Sequence, residues 1–206
     1  MATDIDRQEP APAPDGRTIW RLGLKLFLLS LAVFFAASLV VYIVTASSRP
    51  PPMTASEANE LPWMMWVSTA VLIIAGVSVE TAAQRAKRAR LEDAGAWLMG
   101  TAALGLLFVI TQTVAISQLI GLHELERARP ILGLAGLTFV LILIHALHVI
   151  GGMVPLGLLV RRARREGLSL EHIPKVRGIA IYWHFLELVW FTMLFVFWFT
   201  APTPVG

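Results

Sequence analysis

The chain contains no cysteine, which excludes disulfides, thiolate metal sites and cysteine nucleophiles. It is short of charge as well. Only 15% of its 206 residues are Asp, Glu, Lys or Arg, against roughly 25% in soluble domains, too few to cover a water-facing surface. Alternating strand patterns are absent, and the apolar runs exceed the roughly ten residues that a barrel strand needs. No internal repeat occurs, no phosphate-cradling glycine loop, no His-x-x-Glu-His zinc pattern, and no His–Asp arrangement beside Ser68 or Ser78. The net charge of +3 raises nucleic acid as a partner. The positive residues fall in short segments between apolar runs, however, where a membrane surface accounts for them and no nucleic acid is expected.

What the chain does have is apolar length: 56% of its residues are hydrophobic and the mean hydropathy is +0.69. Five runs, at about 20–46, 61–83, 94–120, 131–160 and 179–201, each reach the roughly 20 helical residues that cross about 30 Å of hydrocarbon. The fold class expected is all-α, a polytopic bundle of five transmembrane helices, because helices alone satisfy the backbone of such runs in lipid. Residues 1–19 read as a disordered tail and 202–206 as a short external tail. The first run is too long for a signal peptide and no cleavage site follows it, so a retained helix is expected. Loops of about 10 to 18 residues should make consecutive helices antiparallel neighbours.

Orientation follows from the basic residues. With the N-terminus inside, 14 of the 17 Lys and Arg lie on inner segments, and only Arg49, Arg127 and Arg129 lie outside. That bias places the N-terminus in the cytoplasm and the C-terminus outside. Trp20, Trp63, Trp66, Trp97 and Trp183 are expected in the interfacial belts. Ala32 with Ala36, Gly133 with Gly136, and Gly151 with Gly152 have the spacing of close helix contacts, and Gly152 and Pro155 are candidates for a kink.

Ionisable and polar residues inside the membrane are costly and are where function is sought. His145 and His148 are three apart and share a face of the fourth helix, as do His184 and Glu187 on the fifth. The histidine spacing does not match a haem or metal site, so hydrogen bonding between helices is the expected role. Glu187 lies about 12 Å from the inner end of its helix at 1.5 Å per residue, where a carboxylate must be protonated or paired. His148, at comparable depth on the antiparallel fourth helix, is the partner expected for it. Glu80 is expected to pair with basic neighbours such as Arg85 or to reach water, ahead of a proton-relay role. Gln112 is expected to hydrogen-bond between helices. Arg85, Arg88, Arg161 and Arg162 are candidates for anionic lipid head groups.

Tyr182-Trp183-His184-Phe185, continuing to Val189-Trp190, resembles the Tyr-Trp-His-Phe-x-Asp-x-Val-Trp signature of cytochrome c oxidase subunit 3. His145-Ala146-Leu147-His148-Val149-Ile150-Gly151-Gly152 is similar to that family's His-x-x-His-Val-x-x-Gly. Leu61-Pro62, Ser68-Thr69-Ala70-Val71-Leu72 and Gly76-Val77-Ser78 resemble its Pro-Leu-x-Asn-Thr-x-x-Leu-Leu-x-Ser-Ser, and Gln112 falls where it carries a glutamine. The likeness covers about residues 20 to 200 and implies the short five-helix bacterial form. Glu187 stands where the family usually has Asp. Leu31 stands where it carries a membrane-embedded glutamate, so that glutamate's proposed proton role does not carry over.

The resemblance implies a non-catalytic accessory subunit of a haem-copper terminal oxidase in the bacterial inner membrane. Such a subunit has no haem or copper of its own; those belong to partner subunits I and II, and bound phospholipid is expected in a cleft. It would support turnover and proton uptake in the core. A related accessory protein of nitric oxide reductase is the alternative. A small proton-coupled transporter using Glu80, His148, His184 and Glu187 is an alternative of another class, although no repeat supports it.

Overall fold

The computed structural model describes residues 16–48, 63–125 and 134–200. Five helices span them: α1 Gly16–Ser47, α2 Met64–Lys87, α3 Leu91–Leu125, α4 Leu134–Glu166 and α5 Ile173–Phe199. Each contains a stretch long and apolar enough to cross a membrane. The fold class is the one expected. Residues 1–15 and 202–206, assigned to tails, lie outside the described residues, as do residue 201 and Gly133; Gly16 already begins α1.

The helices outrun the apolar stretches at the basic end. α2 continues to Lys87 and α4 to Glu166, while α5 opens at Ile173 with a proline in its first turn, where a missing N–H costs nothing. Hydropathy marks where a helix leaves hydrocarbon, whereas backbone hydrogen bonding continues through charged turns. The loop expected between α2 and α3 is therefore only residues 88–90. Ala89 takes a left-handed φ of 56° there, and the Arg90 N–H returns to the Arg85 carbonyl at 3.0 Å. Asp93 clamps the turn by pairing with Arg85 at 3.2 Å and Arg90 at 2.7 Å. Its place in the first turn of α3 also suits the helix dipole. α4 stops at Gly167, whose φ of 75° supplies the left-handed cap.

Helices α2, α3, α4 and α5 close a ring of pairwise contacts, and α1 lies outside it against α4 and α5. α1 packs with Leu31, Phe35, Leu39 and Tyr42, all buried, which recur at helical spacing on one stripe. Ala32 and Ala36 are off that stripe, and Ala36 is exposed, so large side chains make this contact. The close approaches lie elsewhere. A Cβ at Gly76 would fall on the Glu187 carboxyl, at Gly105 on Met153 and Trp183, at Gly152 on Tyr182, and at Gly178 on Trp20. Gly151 faces open space, and α4 runs unbroken through Pro155.

Candidate functional site

Packing α5 against α2 through Gly76 brings three ionisable side chains into a row. His184 Nδ1 lies 2.8 Å from Glu187 Oε2 on the same helix, and His184 Nε2 lies 3.4 Å from Glu80 Oε2 on α2. The Gln84 amide donates to Glu80 Oε1 at 3.1 Å. One imidazole thus faces a carboxylate at each ring nitrogen. A neutral ring carries one N–H and donates to one of them; serving both requires a second proton on the ring or on a carboxyl. The side chains of His184 and Glu80 are 43% and 42% exposed, while that of Glu187 is only 13% exposed. Glu187 Oε1 is buried over Gly76 without a hydrogen-bond partner among the described residues. The row can hold and share protons, and its Glu80 end opens to the bundle surface.

Two sequence expectations change here. Arg85 pairs with Asp93, and the contact of Glu80 across the helix pair is with His184. Glu187 does not meet His148. Tyr182 turns its ring to α4, and five residues along an α-helix amount to about 140° of rotation, so Glu187 faces α2 instead. His148 Nδ1 lies 2.8 Å from the Ile144 carbonyl of its own helix; a carbonyl only accepts, so that nitrogen carries the proton.

His145 and Gln112 are buried in the middle of the ring, and none of their side-chain nitrogens or oxygens has a partner among the described residues. The interhelical hydrogen bonds expected of them are absent from that set. The His145 ring instead packs among aromatics, 5.3 Å from Trp190 and 6.2 Å from both Phe35 and Phe108. Other residues tie the helices. Trp190 Nε1 donates to Thr69 Oγ1 at 2.9 Å, Thr101 Oγ1 to Ser78 Oγ at 3.0 Å, and Tyr182 Oη to the His148 carbonyl at 2.8 Å. Tyr182→Phe is expected to lower stability by about 0.6–1.7 kcal/mol, the span for one hydrogen bond between helices in lipid. The unfolding midpoint in detergent measures it, and an unchanged midpoint would show that the phenol does not hold α4.

Next to Tyr182 is a largely apolar cleft of about 380 Å³, walled by Trp20 and Phe27 of α1, His148, Gly152 and Pro155 of α4, and Gly178 of α5. Of the belt tryptophans, Trp20, Trp63, Trp66 and Trp97 are exposed. Trp183 is not: it is fully buried, its ring slotted against Gly105. Of the basic candidates for lipid head groups, Arg85 and Arg162 are paired with Asp93 and Glu166, while Arg88 and Arg161 make no ion pair among the described residues. No group of three His, Cys, Asp or Glu among the described residues is placed to hold a metal. Gly76, Gly105 and Asp93 are site-shaping residues that the sequence did not single out. For Gly76 the signal was its place in the Gly76-Val77-Ser78 motif; the other two had none.

The family model for cytochrome c oxidase subunit III matches residues 16–201. The cytochrome bo(3) ubiquinol oxidase subunit 3 of Pseudomonas aeruginosa is 26% identical over 184 residues, covering 88% of this chain and 85% of that one. The cytochrome c oxidase subunit 3 of Bacillus sp. (strain PS3) is 27% identical over 186 residues, covering 90% and 85%. A probable quinol oxidase subunit 3 of Staphylococcus aureus is 28% identical over 155 residues, covering 73% and 71%.

Proposed function

The chain belongs to the cytochrome c oxidase subunit III family, and from that membership we propose that it is a non-catalytic accessory subunit of a haem-copper terminal oxidase in aerobic respiration. The observation that carries this reading is the family match over all five helices. In it, the chain packs against subunit I, with subunit II in the same complex, and redox chemistry stays with the haem and copper of those partners. Its own residues supply a rigid bundle and a place for lipid. The 380 Å³ cleft beside Tyr182 has the size and apolar walls for part of a phospholipid. Arg88 and Arg161, at the basic ends of α2 and α4, suit the anionic head groups. The distribution of Lys and Arg supports an N-terminus in the cytoplasm.

The test is the oxidase purified from cells with and without this chain. Without it, the haem spectrum is expected to be unchanged, while bound phospholipid falls and activity decays sooner during sustained turnover. A missing haem signal, or an equally durable enzyme, would contradict the accessory role.

A further inference from the structure

The ring of α2 to α5 has two outer grooves beside α5. One, between α5 and α4, is filled by α1. The other, between α5 and α2, holds no helix among the described residues. Its walls are apolar ridges that project outward at helical spacing: Ile73 and Val77 on α2, and Ile181, Leu188 and Phe195 on α5, between 46% and 64% exposed. Glu80 and His184 open into this groove with over two-fifths of each side chain uncovered.

Their depth makes that exposure costly. Glu80 lies three residues inside the end of the apolar run at 83 and His184 five inside the start of the run at 179, about 5–8 Å into the apolar stretch at 1.5 Å per residue. Lipid chains offer no hydrogen bonds there, and a carboxylate left facing them is penalised. The row is also unbalanced. Its four carboxyl oxygens are faced by one imidazole and the Gln84 amide, so acceptors outnumber donors. What covers it should be apolar along the ridges and should bring a hydrogen-bond donor to this depth. A lipid tail meets the first condition only; a protein helix meets both.

We propose that the α2–α5 groove is the docking face for a transmembrane helix of a partner subunit, which presents a hydrogen-bond donor such as Arg, Lys or an amide side chain to Glu80 and His184. This rests on the accessory-subunit reading and names the face through which the chain assembles. α1 shows how such a helix seats, with Leu31, Phe35, Leu39 and Tyr42 in the neighbouring groove. Buried ionic or polar contacts of this kind fix the register of helices whose apolar faces would otherwise slide.

The absence of native cysteine makes single-cysteine photo-cross-linking in the assembled membrane complex direct. From Val77→Cys and Leu188→Cys, the expected product is a covalent link to one partner polypeptide. Mass spectrometry should map it to a transmembrane segment with a donor residue within one turn. Leu106→Cys on the outer face of α3 should give lipid adducts. Glu80→Leu should cut the haem-bearing subunit retained by the tagged chain roughly three- to tenfold, as expected for one interhelical hydrogen bond. Unchanged or increased retention would contradict the polar contact. Lipid adducts alone from the groove positions, with haem-bearing subunits still co-purifying, would overturn the docking face and leave the accessory role standing. Loss of all co-purification from the unsubstituted chain would overturn both.

Discussion

Gly76→Val should unseat the Glu187 carboxyl and lower stability by about 3 kcal/mol, the upper part of the range for forcing extra atoms into a packed site. A Cβ at Gly76 would fall on that carboxyl group, and valine adds two more carbons. Glu187 ends in a flexible carboxyl, but stepping aside gives up the contact it makes. Its Oε2 faces His184 at 2.8 Å on the same helix, and outward movement would carry a carboxyl toward lipid. α2 and α5 must separate or the row must break. The cause is steric, so shortening the opposing side chain should relieve it. Glu187→Ala in the Gly76→Val background is expected to recover most of the loss, leaving a coupling of 1–3 kcal/mol. Gly23 has nothing within 4 Å of an added Cβ, and Gly23→Val should be neutral or slightly stabilising, since glycine is the poorer helix former. Denaturant titration in detergent reads all three. Equal losses at Gly76 and Gly23, or no rescue, would refute the cradle.

Trp183→Ala should cost about 2–3 kcal/mol. The side chain is fully buried between α3, α4 and α5, with Gly105 and Met153 against its ring. In a soluble core such a truncation costs about 3–5 kcal/mol, part of it transfer from water. In a membrane the reference state is already in hydrocarbon, so most of the transfer share drops out and the lost packing remains. A second substitution separates packing from other causes. Gly105→Ala should destabilise the parent, because its methyl would meet Trp183. In the Trp183→Ala background the methyl still meets Met153, which can now shift into the vacated space, so the same substitution should cost clearly less. A loss of the same size in both backgrounds would mean that Trp183 does not fill this slot.

These two residues also mark what the amino-acid sequence could and could not convey. Apolar run lengths were enough for five helices, because the thickness of hydrocarbon sets a minimum length that few other structures need. The i, i+3 spacing was enough to put His184 and Glu187 on one face. Rotation of each helix about its axis was not legible. In water an amphipathic stripe orients a helix, but lipid is as apolar as the bundle interior, so buried and lipid-facing positions carry the same residue types. Phe35 is buried while its neighbour Phe34 is exposed, and Trp183 is buried while Trp66 is exposed. That is why His148 was expected to meet Glu187, and why Trp183 was expected at an interface. Helix ends failed for a different reason: Lys87 and Arg164 are good helix formers outside hydrocarbon, and hydropathy does not register them.

The row of Glu80, His184 and Glu187 depends on rotation and on one small residue together. Gly76 permits the approach, the phase of α5 turns Glu187 inward, and α2 brings Glu80 to the imidazole. The histidine and the two acids were each visible in the sequence as costly membrane residues. Their meeting was not, since it joins residues 104 positions apart.

Purification of the tagged full-length chain from native membranes in mild detergent, with reduced-minus-oxidised haem spectra recorded on the eluate, tests the accessory-subunit reading most directly. The expected result is haem absorbance that co-elutes in fixed proportion to the chain and stays with the partner polypeptides when harsher detergent separates them. A chain that elutes without haem-bearing subunits, or one that keeps a haem spectrum after separation, would contradict it.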